Sequence, residues 1–256
     1  YLLVWFYFYL PEKILMDKII YKIPVYNEEK SAYDLVSRIS EINSFDEIRL
    51  DIYNDGSNTK TYEWLEKAKK DFNNLNINIY HASSNQGLLT ALNHLITEFD
   101  KEDSFSNIIF LDGDNTHNPQ QIIEHPECFN YDLSIFSRYT DDATVNVSLF
   151  RKILSTGARY VYKVALGVDT IKEYTCLYRV FNIATFKELK KEVQKNPLKE
   201  EGFVCAVEML FKVNLVNKNI REFPLFLQYD LKIAASSNKI IQNIFRSLIF
   251  AFKKFL

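Results

Sequence analysis

Apolar residues recur along the first half of this chain with two alternating periods. Residues 19–25 form an apolar, β-branched run that opens at Pro24 into Tyr26-Asn27-Glu28, the pattern of a strand ending in a loop. Ala32, Leu35, Val36 and Ile39 follow at helical spacing, with Ser31 placed to cap the helix. Ile48, Leu50 and Ile52 then alternate with polar residues and break at Asn54-Asp55-Gly56-Ser57-Asn58. Trp64, Leu65, Ala68 and Phe72 make a second helical stripe, and Leu75, Ile77 and Ile79 a third strand. After the break at Asn85-Gln86-Gly87, Leu88, Ala91, Leu92, Leu95, Ile96 and Phe99 predict a third helix. Residues 108–111 are continuously apolar, as expected of a strand covered on both faces.

Strand, polar loop and helix thus repeat three times before the fourth strand. This predicts right-handed βαβ units, hence an α/β fold with a mostly parallel sheet flanked by helices. Each strand ends in Asn, Asp, Glu or Ser, so four loops converge on the crevice where open α/β sheets hold ligands. The fourth strand ends in Asp112-Gly113-Asp114. Two carboxylates there offer hard oxygen donors to one Mg²⁺ or Mn²⁺ that keeps open positions for substrate phosphates. An Asp-rich turn leading into a helix cap fits the same tripeptide. Neither Gly-x-Gly-x-x-Gly nor Gly-x-x-x-x-Gly-Lys occurs, which argues against a dinucleotide fingerprint and a P-loop.

Composition adds bounds. A chain of 256 residues has room for one large domain or two small ones. A net charge of -2 speaks against a nucleic-acid partner. The 15% aromatic content suits an apolar or membrane-facing surface without demanding one. Cys128, Cys176 and Cys205 are odd in number and far apart, which fits neither a disulfide framework nor a zinc site and points to the reducing cytoplasm. The apolar run at residues 1–10 stops at Pro11, about half the ~20 residues of a spanning helix. Residues 1–15 are expected to be an extension outside the folded unit, a packed strand or helix being the alternative. Residues 16–231 then form the main domain. From residue 232 on there are five Lys or Arg and no acid. Ile240, Ile241, Ile244, Phe245, Leu248, Ile249, Phe252 and Phe255 recur at helical spacing opposite Gln242, Asn243, Arg246, Lys253 and Lys254. Residues 232–256 read as a basic amphipathic helix on an anionic membrane surface, or equally as a helix docked on the domain.

The motifs carry a resemblance. Ile23-Pro24-Val25-Tyr26-Asn27-Glu28, Asn54-Asp55-Gly56-Ser57, Asn85-x-Gly87 with Ala91 and Asn93, Asp112-x-Asp114 and Ser137-Arg138-Tyr139 occur in the order seen in family 2 glycosyltransferases. Those are inverting enzymes of the GT-A fold that use nucleotide-sugar donors, and the match covers residues 17–140. The second half resembles the dolichol-phosphate mannosyltransferase branch. Arg151-x-x-x-Ser155 resembles its acceptor-phosphate pair, and the segment from Glu173 to Arg179 its Asp-x-Thr-x-Gly-Phe-Arg. Gly202-Phe203, Glu208-Met209 and Arg221-Glu222-Phe223-Pro224 resemble later landmarks. The chain departs from that branch at Glu173 for Asp and Leu177 for Gly, and its Arg-x-x-Gly-x-Ser-Lys stretch is only loosely echoed in residues 232–239. Asn54 stands where Asp-Asp-Gly-Ser is usual.

The resemblance implies a nucleoside pocket built from Pro24, Tyr26, Asn27, Glu28, Asn54, Asp55, Ser57, Asn85 and Gly87. Asp55 would accept from a base N–H and Glu28 from ribose hydroxyls. Taken alone, Glu28 also suits a helix N-terminus and Asp55 a turn. Asp112, Gly113 and Asp114 would carry the diphosphate through a metal that neutralises its developing charge. His117 could join the metal shell, but a solvated cap or a donor behind the ligands is the better expectation. Members acting on hydroxyls usually place a Glu-Asp base after the metal motif, whereas Glu102-Asp103 lies before it and Glu208 is a fallback. A phosphate acceptor needs no base. It needs cations, and Arg138, Arg151 and Arg179, with Ser155, are the candidates, Arg151 acting with Asp112 and Asp114 in catalysis. The expected activity is transfer from a nucleotide sugar to a polyprenyl phosphate on the cytoplasmic, inner face of a membrane. Alternatives are a family 2 transferase acting on a glycan hydroxyl, a GT-A-like nucleotidyltransferase and a non-catalytic nucleotide-sugar binding module.

Overall fold

The computed structural model describes residues 17–98, 104–140, 143, 162–163, 171–213, 215, 218–228, 231, 246 and 249–250. The expected N-terminal extension, Arg151, Ser155 and nearly all of the C-terminal helix lie outside the described residues.

The predicted alternation is present. β1 (Lys18–Val25), α1 (Lys30–Ser40), β2 (Glu47–Asn54), α2 (Thr59–Asp71), β3 (Asn76–His81), α3 (Leu88–Thr97) and β4 (Asn107–Phe110) follow one another. Then come α4 (Gln121–Glu124), β5 (Leu133–Ser137), β6 (Arg179–Asn182), α5 (Ile183–Lys195), α6 (Val204–Phe211) and β7 (Ile220–Pro224). The strands form one sheet in the order β3-β2-β1-β4-β6-β5-β7. Only β6 runs against the others, pairing antiparallel with β4 and β5. The remaining strands therefore end at one edge, and the loops after β1, β2, β3, β4, β5 and β7 open there beside the start of β6.

Both faces of the sheet are covered. Ile19, Tyr21, Ile23, Leu50 and Ile52 pack with α1 and α2, while Ile20, Ile108, Phe110, Ile135 and Phe181 pack with α3, α5 and α6. The polar residues that alternate with the apolar ones in β2 are buried too, Arg49 and Asp51 among them, as is Lys22 of β1. Asp51 accepts from Lys22 Nζ at 3.2 Å, from Arg49 Nε and Nη2 at 2.8 and 2.7 Å, and from Asn78 Nδ2 at 3.1 Å. Burial is tolerated here because the charges are paired, Lys22 with Asp51 across β1 and β2 and Arg49 with Asp51 within β2. Ser31 is not the cap of α1. The chain passes through positive φ at Asn27 (56°) and Glu29 (47°), so the helix starts earlier, from Glu29, and Ser31 lies buried inside it.

Candidate active site

The loops after β1, β2 and β3 are bonded to one another at the crevice. Asn27 N–H donates to Ser57 Oγ at 3.0 Å, and Asn58 N–H to Asn27 Oδ1 at 2.8 Å. Asn58 Oδ1 in turn caps α2 by accepting from Thr61 N–H at 2.9 Å. Asn54 Nδ2 lies 2.8 Å from His81 Nδ1, whose Nε2 is 3.1 Å from Glu66 Oε1. Asp55 is buried, and its carboxylate accepts from Asn85 Nδ2, Gln86 N–H and Gly87 N–H, each at 2.8 Å. Gly56, at φ 61°, lies so close to the next loop that a Cβ would fall 2.1 Å from the Ser84 carbonyl carbon.

Asn27, Asn54, Asp55, Ser57, Asn85 and Gly87 are therefore brought together as expected, though as a mutually bonded scaffold. The sequence reading assigned the Asp55 carboxylate to a base N–H. In the structure three internal donors hold it, which makes it a clamp on the loop before α3. Tyr26, 41% exposed, stands at the rim, with Pro24 and Glu28 half-buried beside it.

Beside these loops, β4 pairs with β1 and releases Asp112-Gly113-Asp114 against the end of β1. A Cβ on Gly113 would meet the Pro24 carbonyl oxygen at 2.6 Å and Val25 Cγ2 at 2.8 Å. Glycine is required here by close approach. Gly113→Ala is expected to cost about 1–3 kcal/mol, read from urea unfolding, by forcing the two strand ends apart.

Asp112 and Asp114 are half-buried at the crevice. Asp114 Oδ1 accepts from Thr116 Oγ1 at 2.7 Å and Thr116 N–H at 3.1 Å, a turn closed through Asn115 at φ 62°. The Asp-rich turn read from sequence is thus real, and the two carboxylates still share the crevice mouth. His117 is not a solvated cap. It is buried, stacked on Tyr178 with ring centroids 5.5 Å apart, and its Nε2 lies 3.6 Å from both Asp112 Oδ2 and Cys176 Sγ. Burial disfavours the charged ring, but the Cys176 sulfur and the two carboxylates outweigh it and raise His117 to about 9. Asp112 N–H approaches Nδ1 at 3.4 Å, a contact that belongs to the neutral ring with its proton on Nε2. A cation beside the carboxylates would favour that neutral form.

These donors fit Mg²⁺ or Mn²⁺, being hard oxygens at a partly open mouth. No group of three or more His, Cys, Asp or Glu that could enclose a metal exists among the described residues, so a cation would depend on phosphate and water for the rest of its shell.

Two of the expected acceptor cations are placed otherwise. Arg179 is fully buried, its Nη1 donating to Ala206 O at 2.6 Å and its Nη2 to Tyr174 O at 2.7 Å. Burial lowers it to about 10. It ties β6 to α6 in the interior, away from the crevice surface, because α6 covers β6, a burial that the apolar pattern around it in sequence did not reveal. Arg138, with its side chain 29% exposed, donates from Nε and Nη2 to both oxygens of buried Glu173 at 2.8 Å, and from Nη2 to Thr175 Oγ1 at 2.8 Å. Its charge is balanced by that carboxylate. Glu208, the fallback base, accepts from Lys199 and Glu200 N–H at 2.7 and 2.8 Å and acts as a loop anchor. Glu222 does the same for Lys172 and Glu173 N–H, both at 2.6 Å, and burial raises its pKa.

Sequence reasoning passed over Thr116, which orients Asp114, and Arg38, which reaches the same turn from α1. For Thr116 the signal was the Asp-x-Thr spacing of a side-chain-closed turn. Nothing local marked Arg38.

Comparison with known proteins agrees with this architecture. The sequence model described as Glycosyl transferase family 2 matches residues 22–171. The dolichol-phosphate mannosyltransferase of Pyrococcus furiosus is 29% identical over 194 residues, 74% of this chain and 51% of that protein. The chain thus spans about half the length of this curated relative. Among solved structures, the mannosyltransferase PcManGT from Pyrobaculum calidifontis, in complex with GDP-Man and Mn²⁺, superposes with a TM-score of 0.61 at 12% identity, covering 95% of this chain and 65% of that one. Glucosyl-3-phosphoglycerate synthase from Mycobacterium tuberculosis, in complex with Mn²⁺, UDP and glucosyl-3-phosphoglycerate, gives 0.57 at 13% identity over 92% and 78% of the two chains. At such identities the likeness concerns the fold, which is the GT-A fold expected from the motif order. With the family's model spanning more than half of its residues, and its motif loops gathered at one sheet edge, the chain belongs to glycosyl transferase family 2.

Proposed function

We propose that this chain transfers a sugar with inversion from a nucleotide-sugar donor to a polyprenyl phosphate, in a reaction dependent on a divalent cation. The observation that carries the reading is the position of Asp112 and Asp114 at the end of β4, against the end of β1 and beside the joined loops after β1, β2 and β3. Asp112 and Asp114 would hold Mg²⁺ or Mn²⁺, which supplies charge neutralisation for the departing diphosphate. Tyr26 and Glu28 would contact the nucleoside at the rim, over a floor kept rigid by Asp55 and its three donors. The named activity of the Pyrococcus furiosus relative supports a lipid-phosphate acceptor, and the GDP-Man and Mn²⁺ bound to the Pyrobaculum calidifontis enzyme support the donor and the cation.

On the acceptor side Glu173, Glu208 and Glu222 are each engaged by backbone N–H groups. That suits an acceptor arriving already deprotonated. With Arg179 sealed and Arg138 paired, Arg151 and Ser155 are the residues proposed to grip its phosphate. Residues 16–231 would form the catalytic domain, and 232–256 would bring it to the cytoplasmic face of an anionic membrane. No helix among the described residues is long and apolar enough to cross a membrane.

The pairing of Arg138 with Glu173 favours a second reading, in which a neutral glycan hydroxyl is the acceptor. Transfer from labelled GDP- and UDP-sugars to short polyprenyl phosphates, set against neutral glycosides, separates the two. Arg151→Ala is expected to slow transfer to polyprenyl phosphate about ten- to a hundredfold with donor affinity unchanged, the loss of one charge-assisted hydrogen bond. Efficient use of neutral glycosides with no activity on any polyprenyl phosphate would reject the lipid-phosphate reading.

A further inference from the structure

We infer that Arg38 is a positioning residue for the Asp112-Gly113-Asp114 turn, tying it to α1 on one side and to the chain after β7 on the other. This rests on the cation-dependent reading above. Arg38 leaves the last turn of α1 and spreads its guanidinium over two segments far apart in sequence. Nη1 donates to Asn115 Oδ1 at 2.8 Å and to Asn115 O at 3.4 Å. Nη2 donates to Asn118 Oδ1 at 2.7 Å and to Gln228 Oε1 at 2.6 Å. All four acceptors are neutral amide oxygens, so these contacts do not neutralise a carboxylate. They orient a loop.

Asn115 is the hinge of that loop. It sits between Asp114 and Thr116 at φ 62°, a conformation most side chains avoid and asparagine tolerates. The reversal at Asn115 is what brings the Thr116 hydroxyl and N–H back onto Asp114 Oδ1. By holding both oxygens of Asn115, Arg38 favours the reversal and hence the aim of Asp114. Gln228 closes the ring of contacts. Its N–H donates to Thr116 O at 2.9 Å, and the neighbouring Leu227 pairs antiparallel with His117. Beneath them, Tyr178 and Tyr21 donate to the Asn118 and Pro119 carbonyls at 3.1 and 3.3 Å. A planar guanidinium with donors only can bridge such a set, whereas the compact ammonium of a lysine cannot.

The test is calorimetric titration of Mn²⁺ into chain saturated with UDP or GDP, alongside nucleotide binding without metal. Arg38→Ala, Arg38→Lys, Gln228→Ala and Asp114→Ala are compared with the unchanged chain. Arg38→Ala should weaken Mn²⁺ about ten- to a hundredfold, as loss of a partner behind a metal ligand does, while metal-free nucleotide affinity holds. Arg38→Lys should recover only part of the loss. Gln228→Ala, which leaves α1 untouched, should weaken Mn²⁺ in the same direction and stands in if Arg38→Ala does not fold. Full Mn²⁺ affinity in folded Arg38→Ala, or in Gln228→Ala in its place, with Asp114→Ala defective, would overturn the inference and leave the metal assignment standing. Full affinity in Asp114→Ala as well would remove both.

Discussion

Asp114→Ala is expected to abolish Mn²⁺-dependent binding of UDP or GDP and sugar transfer while leaving the chain folded. Two carboxylates at a partly open crevice are few ligands for a divalent cation, so loss of one removes a large share of the protein's hold. In the proposed reaction transfer would depend on charge stabilisation at the diphosphate, the kind of contribution whose removal costs about 2.7–4 kcal/mol, or a hundred- to a thousandfold in rate. The structural cost should be smaller. Asp114 is half-buried, and the turn it closes by accepting from Thr116 N–H and Oγ1 is worth about 1.5–3 kcal/mol, which a folded domain tolerates. Titration calorimetry with and without Mn²⁺, with a melting curve on the same sample, checks both halves. A folded variant with unchanged Mn²⁺-dependent nucleotide affinity would remove Asp114 from the site.

Glu173→Ala should produce the largest loss of stability, about 3–5 kcal/mol, because it strands a paired cation at a buried site. Glu173 is fully buried and accepts from Arg138 through both oxygens, from Thr175 N–H and Cys176 N–H at 3.0 Å, and from Thr175 Oγ1 at 3.2 Å. Burial alone would raise its pKa, but the guanidinium and the backbone amides overcome that and hold it at about 2, below the ordinary 4.5. A carboxylate whose folded pKa is depressed stabilises the native state above its unfolded pKa. That contribution is lost as pH falls from 4.5 towards 2. Glu173→Gln should therefore be less stable than the unchanged chain at neutral pH, and the gap should close as the solution is acidified. Urea unfolding midpoints measured between neutral and acid pH would show it. A gap that stays constant across this range would mean the carboxylate titrates alike folded and unfolded.

Glu173 and Arg138 also show how far the sequence could be read. Both were visible as motif residues, and Arg138 was expected to face a phosphate. Their mutual bonding depends on the loop before β6 returning to the end of β5, a contact across 35 positions that no local pattern encodes. The same holds for Arg179, whose burial follows from α6 closing over β6.

Elements and direction of the sheet were legible because each records itself locally. Alternating periods in residues 19–111 spell strand and helix, and crossover helices between strands force parallel pairing. The Asp112-Gly113-Asp114 turn was legible for the same reason, since a buried apolar run followed by carboxylates places them at the sheet edge. Polar residues inside strands were not. Lys22, Arg49 and Asp51 become one buried ionic cluster only once helices cover both faces of the sheet. What the motif carboxylates and amides bond to also emerged only with the fold. Asp55 closes on residues 85–87, His117 on Cys176, and Arg38 on Asn115, Asn118 and Gln228. Local sequence sets backbone geometry and which face is apolar. The partner of a polar side chain is chosen by chain segments that meet only once the sheet is assembled.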